Sequence, residues 1–383
     1  MALDFNERMK LLFGPWAAAA GRPDLTDQLK TAPLPKERKN DQFERLKLLR
    51  SADVSAMPLS GRAFVFRYED ETSRILAVDI DELNASDRES LSGWAAQYGL
   101  TSIEMEEADF IFLTSELSGI FTPKARYLVP SEASNVLDVV GDGYAGHSIY
   151  DIIGYFRQLS LFRIDGDSSL FSCSAYALAA KAAIAVAAFR SQTPSPEAVS
   201  ALSKIETLPN VNPENIYYAL MATQWRYVVL ETYKCLEPAF FLPWIAILRD
   251  ALGVSTPAYE MVNSCRSSLQ WREKEKESIR ALFTLISDLE TIAEDALKLD
   301  CFKELDADTA TAKAIGARVY RIRNELVHGA DYEHPERLVI SDTEWSVLSV
   351  FISNVVFYVF STYSADLGFT FDPESKDKLL AAA

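Results

Sequence analysis

Arg321-Ile322-Arg323-Asn324-Glu325-Leu326-Val327-His328-Gly329 closes a helix-periodic run that begins at Thr309. Glycine just past a last turn is a common helix stop, so the run predicts a helix over Thr309–His328 that ends at Gly329. No acidic residue occurs between Thr309 and Asn324, whereas Lys313, Arg318, Arg321 and Arg323 do. In a chain of net charge −17 this is a local cationic strip that would attract a phosphate. Asn324 and His328 are four apart and share a helix face. Arg323 and His328 are five apart, about 140° around an ideal helix, so they meet on one phosphate only if the helix end opens or two copies of the motif face each other. Histidine passes protons in either direction near neutral pH, and arginine forks onto phosphate oxygens with a permanent charge. Such a pair suffices to cleave RNA without a metal or other cofactor, because the attacking 2′-OH belongs to the substrate.

Outward from this stretch the sequence is helical on both sides. After the polar loop ADYEHPER, Ser341 and Glu344 make a capping-box pattern for a last helix to about Tyr363. Upstream, Pro213 opens a helix through YKCL, with Pro238 and Pro243 restarting it. Pro257 opens a long helix through REKEKES into LETI. Residues 213–366 therefore read as a helical bundle, with 367–383 a tail. Residues 191–212, with SQTPSPEAVS and LPNVNPEN, read as a linker.

Residues 1–190 read as a smaller α+β region. RAFVFRY (62–68) and RILAVDI (74–80) alternate around the acidic turn EDET, which predicts a hairpin. DFIFLT (109–114) and RYLV (126–129) are further strand candidates, Ser86–Tyr98 a capped helix, and His147–Leu159 and Ser168–Ser191 helical stretches. The fold class expected is α+β, a small mixed N-terminal region followed by a mainly α bundle.

The RNxxxH string late in a helical bundle, followed by one more long apolar helix, resembles the HEPN family of ribonuclease domains. The resemblance covers about residues 213–366 and rests on the Arg-x4-His spacing with Asn after the Arg. It implies metal-independent endoribonuclease activity that leaves a 2′,3′-cyclic phosphate, a composite site in a homodimer, and a toxin or phage-defence role under control of the N-terminal region. His328 would then be the general acid/base, Arg323 the clamp on transition-state charge, and Asn324 an orienting group. Lys313, Arg318 and Arg321 are candidates for RNA backbone contacts, tRNA being one substrate, and a protein or phage-derived trigger would act on residues 1–190. A tyrosine two residues after the histidine marks one subgroup that pairs with nucleotidyltransferase antitoxins. That position here is Ala330.

Two other functional classes remain open from sequence. One is a non-catalytic dimerisation module in which the motif only shapes an interface. The other is nucleotide sensing by Gly141-Asp142-Gly143-Tyr144-Ala145-Gly146, a GxGxxG string after strand-like VLDVV and before a helical pattern. The remaining features exclude or fill. The four cysteines lie far apart, without CxxC spacing, so a zinc site or disulfide framework has no support. Residues 51–170 carry 8 basic and 20 acidic residues, against a broad nucleic-acid surface there. The N-terminus has no secretory pattern, and the most apolar window, Leu170–Phe189, carries Lys181 at its centre, so no membrane span and a cytoplasmic protein are expected. Glu273, Glu275 and Glu277 read as a solvated face, and Trp225, Trp244, Trp271 and Trp345 as packing.

Overall fold

The structure is a computed structural model that describes residues 4–33, 36–49, 54–59, 63–70, 72–81, 83–138, 143–186, 194–271, 274–303, 305, 311–328 and 338–368. It is mixed α+β with a helical majority, and it divides into two compact units, Met1–Ala175 and Tyr176–Ala383.

In the first unit, helix α1 (Phe5–Ala19) opens with a capping box: Glu7 N donates to Asp4 Oδ1 and Asp4 N to Glu7 Oε2. Helix α2 (Lys36–Leu48) follows, then strands β1 (Ser55–Pro58), β2 (Phe64–Glu69) and β3 (Arg74–Asp79). The expected hairpin is β2–β3, closed by Asp70, whose carboxylate accepts from the N–H groups of Thr72 and Ser73. Helix α3 (Ala85–Gln97) is the capped helix expected at Ser86–Tyr98, and its N-cap is Asn84. Strand β4 (Thr101–Ile103) leads to helices α4 (Glu107–Glu116), α5 (Pro130–Leu137) and α6 (Ile149–Ile153), then strand β5 (Leu159–Ile164). The sheet order is β1-β2-β3-β5-β4, antiparallel throughout. Phe13, Trp16, Phe110, Phe121 and Phe156 form the centre of the core.

Four local expectations are corrected here. DFIFLT is helix α4, not a strand. A Glu106–Asp109 capping box starts it, and every residue from Glu107 to Ser115 is buried, so its continuous apolarity reflects burial all round. RYLV forms a 3-10 turn at Ala125–Tyr127. His147–Leu159 is not one helix, since α6 stops at Gly154 and β5 begins at Leu159. Val136 and Leu137 of VLDVV end α5, residues 139–142 lie outside the described residues, and the sheet contains no parallel pairing among the described residues. Among the described residues, no strand leads into the glycine string as a dinucleotide loop requires. Gly141 and Asp142 lie outside the described residues. Gly146 has φ +109°, and a Cβ there would sit 2.5 Å from the carbonyl carbon of Thr31. This glycine is required by the close passage of Lys30–Ala32, where Ala32 N donates to His147 O at 2.7 Å and His147 N to Lys30 O at 2.9 Å.

The second unit holds α7 (Ala175–Ala185, its first residue closing the first unit), α8 (Pro196–Glu206), α9 (Pro213–Met221), α10 (Trp225–Lys234), α11 (Leu242–Leu252), α12 (Ala258–Leu269), α13 (Glu275–Phe283), α14 (Leu289–Ala293), α15 (Ala312–His328), α16 (Asp342–Thr362) and α17 (Ser364–Leu367). The division between units precedes the linker expected at 191–212, and α8 occupies much of that span. Residues 187–193 lie outside the described set. Lys181, the charge in the alanine-rich helix, pairs with Glu206 of α8 at 2.6 Å. The helix expected through YKCL breaks at Ala222, and the one through REKEKES breaks at Gln270, whose φ of +52° ends α12.

Helix α16 carries the expected Ser341–Glu344 capping box. It is the one helix among the described residues long and apolar enough to cross a membrane, with mean hydropathy 1.6 over a window of which 50% is buried. Its Leu348, Phe351, Ile352, Val355, Val356 and Val359 recur at core-helix spacing, and it packs against α8 and α10. Helices α13 and α15 cross at Gly316, where a Cβ would lie 3.0 Å from Ile279 O and 3.1 Å from Arg280 Cα. That close crossing fixes α15 against the helix bearing Glu275.

Candidate active site

The RIRNELVH segment forms the last two turns of α15. At about 100° per residue, Arg323, Val327, Asn324 and His328 follow one another across an arc of about 140°. His328 and Val327 are exposed, and Asn324 is half-buried. Gly329, and with it the expected helix stop, lies outside the described residues, as do His334 and Ala330.

Arg323 leaves only 18% of its side chain exposed and faces carboxylates from two other elements. Its Nη2 lies 3.6 Å from Glu237 Oε1 and its Nε 3.2 Å from Glu275 Oε1. The guanidinium also stands 5.7 Å from the centre of the Tyr233 ring. Tyr233 O–H donates to Glu275 Oε1 at 3.0 Å, and Arg323 Nη1 donates to Asn324 Oδ1 at 3.3 Å. Although Nε is close to Glu275, the approach is off the N–H direction, and this buried atom makes no hydrogen bond. Burial, with the Glu275 carboxylate adding to it, pushes the Tyr233 phenol up. Burial also raises Glu237, with Arg323 pulling it the other way. Arg323 is thus oriented by charge on two sides while keeping an unsatisfied donor.

The other cationic candidates do not form one surface. Lys313 is exposed near the start of α15. Arg318 is buried and donates to Cys301 O at 2.8 Å, so in this conformation it holds the preceding 3-10 turn rather than facing a ligand. Arg321 Nε pairs with Glu325 Oε1 at 3.2 Å, and Glu325 Oε2 accepts from Leu338 N at 2.8 Å. That chain of contacts ties residue 338 back to α15.

Glu237, Glu275 and Tyr233 were not singled out as site residues from sequence. Glu275 sits in the alternating REKEKES run, which reads as a solvated face until α13 is placed beside α15. Tyr233 and Glu237 flank the end of α10, about 90 residues upstream of Arg323, with no local pattern to connect them. Two of the tryptophans, both half-buried, also line open grooves: Trp345 borders two of them and Trp225 one. Trp244 does pack, donating Nε1–H to Ser278 Oγ at 2.9 Å. Among the described residues no group of three or more His, Cys, Asp or Glu is placed to hold a metal ion. The chain matches no known protein family, no curated protein and no solved structure.

Proposed function

We propose that the helical unit is an endoribonuclease resembling the HEPN family, using metal-free 2′-OH chemistry and acting as a homodimer. The observation that carries this reading is the combination at the end of α15: an exposed His328 and an arginine held in place but not fully satisfied. In the reaction the 2′-oxygen attacks phosphorus and its proton passes to a histidine. The P–O5′ bond breaks, and the leaving oxygen takes a proton. Products are a 2′,3′-cyclic phosphate and a 5′-OH. Arg323 would stabilise the extra charge on the phosphorane-like transition state, which preoriented donors do best where water is scarce. Asn324, already bonded to Arg323, would orient it. Motifs from two protomers would supply the second proton transfer and bridge the 140° offset. A toxin or defence role under control of the acidic first unit belongs to the same proposal.

A second reading has one observation in its favour. Two carboxylates flank Arg323, and a phosphate would have to displace at least one. If the pairs are purely structural, the unit is a non-catalytic dimerisation module. Purified wild type and His328→Ala, incubated with total tRNA and an unstructured RNA in EDTA, separate the two. The ribonuclease reading expects 2′,3′-cyclic phosphate ends from wild type only. RNA left intact by both proteins, or cut equally by both, overturns it.

A further inference from the structure

A groove of about 390 Å3 runs beside the motif helix, lined by its Ile322, Glu325 and Leu326. That size lies within the ~300–1,000 Å3 of small-molecule clefts. Its walls are Arg226 and Tyr227 from the first turn of α10, Ile322 and Leu326 from α15, Trp345 from the first turn of α16, and Val339. A second groove of about 700 Å3 shares Arg226 and Trp345 and continues past Trp225.

The composition is unusual for a simple packing defect. Tyr227 is 47% exposed and Val339 is 88% exposed. The Arg226 guanidinium lies 5.1 Å from the Tyr227 ring centre and has no ion-pair partner among the described residues. Glu325, the acidic residue of the wall, is already neutralised by Arg321 and bonded to Leu338 N. The backbone N–H and C=O groups of Val339 and Ile340 have no hydrogen-bond partner among the described residues. The groove therefore combines flat aromatic faces, a guanidinium plane and, along one edge, backbone donors and acceptors that have no partner among the described residues. Those are the elements by which proteins hold an unstacked base, by stacking on its face and hydrogen bonding to its edge.

We infer that this groove is a nucleobase subsite for single-stranded RNA, set within a helix diameter of the RNxxxH motif. The inference rests on the ribonuclease reading for its substrate class but not for its test. Groove and motif share α15, whose width with side chains is about 10–12 Å, so a base seated here belongs to a nucleotide near the scissile phosphate. The subsite would select unpaired RNA, since a base in a duplex is not free to enter.

The test uses the full chain and 2′-O-methyl decamers of A, C or U, which lack the attacking hydroxyl and stay intact. Fluorescence anisotropy measures their affinity, with a series carrying one abasic position each. Removing the base at one position should weaken wild-type binding about tenfold or more. Tyr227→Ala should weaken the intact decamer by a similar factor and erase the abasic penalty, while Tyr227→Phe restores both. Tyr227 is exposed, so its loss leaves the fold in place, and Arg226→Ala, equally exposed, gives an independent check. Equal binding of intact and abasic decamers, or an abasic penalty that survives Tyr227→Ala, overturns the subsite. So does saturable binding of an extended apolar peptide at this groove without any base dependence. Base-dependent binding by a protein that cleaves no RNA supports the subsite and removes only the ribonuclease reading. Cleavage that requires His328 without base-dependent binding does the reverse.

Discussion

Two short strings in this chain look like chemistry, and the structure treats them differently. In the first unit, Gly146 resolves into packing. Thr31 leaves no room for a Cβ there, and His147 packs against Phe13, tilted, and Tyr144, edge-on, at centroid distances of 5.2 and 5.4 Å. In the second unit, His328 is exposed, Asn324 is half-buried, and Arg323 keeps a buried Nε that makes no hydrogen bond. The same contrast separates two arginines. Arg45 binds Asp109 through both Nε and Nη2, at 3.1 and 2.9 Å, and Tyr68 O–H completes that fully buried carboxylate. Arg323 meets two carboxylates at longer range with an unsatisfied Nε. A pair that is bidentate and completed by a third donor is structural, because breaking it leaves a buried charge. The ribonuclease reading requires Arg323 to exchange at least one carboxylate for the incoming phosphate, and its longer-range pairing makes that exchange the less costly of the two.

The contrast breaks most visibly at Arg323. Arg323→Ala is expected to lower RNA cleavage by about 10²–10³-fold, the usual cost of losing one transition-state donor. Its effect on the unfolding free energy should stay within ~1 kcal/mol, since the Glu237 and Glu275 side chains are 42% and 31% exposed and relax into water once the arginine is removed. Large destabilisation with unchanged specific activity would make Arg323 another Arg45. Gly146→Ala is expected to do the opposite, costing roughly 3 kcal/mol from a strained φ and a backbone clash. A melting temperature unchanged from wild type would show that the Thr31 passage relaxes cheaply, and would reopen the glycine string as something other than packing.

How far the sequence could be read depended on whether the signal was local. The β2–β3 hairpin, the Asn84-capped helix and the Ser341–Glu344 box are each written within a few residues, and each was legible. DFIFLT was not, because a short apolar run buried on all sides has lost the periodicity that separates helix from strand. The long helices that the sequence predicts through residues 213–236 and 257–292 are each divided. Their breaks at Ala222 and Gln270 are made by backbone angles that no glycine or proline announces. At the candidate site the three motif residues were visible because they lie on one helix. Their surroundings were not, because Glu237, Glu275 and Tyr233 reach Arg323 only through tertiary packing. Arg318 shows the converse: a basic residue in a cationic strip is still buried when its guanidinium finds a carbonyl.

The smallest expected effect sharpens the comparison at the histidines. Half-burial between two rings holds the His147 imidazole below its ordinary value, with Asp151 opposing weakly, and its Nε2 has no partner. A histidine depressed in the folded state binds fewer protons than in the unfolded chain. Stability that is full above about pH 6.5 is therefore lost as pH falls toward the folded value. Thermal unfolding followed from pH 7.5 to 5 should show this slope, no steeper than ~1.4 kcal/mol per pH unit for one proton. His147→Leu should flatten that part of the profile and leave RNA cleavage at pH 7.5 near wild type. His328→Ala should remove cleavage at pH 7.5. If instead His147→Leu abolished cleavage in a folded protein, the division between a packing histidine and a chemical one would be wrong, and the glycine-string face would have to be part of the working site.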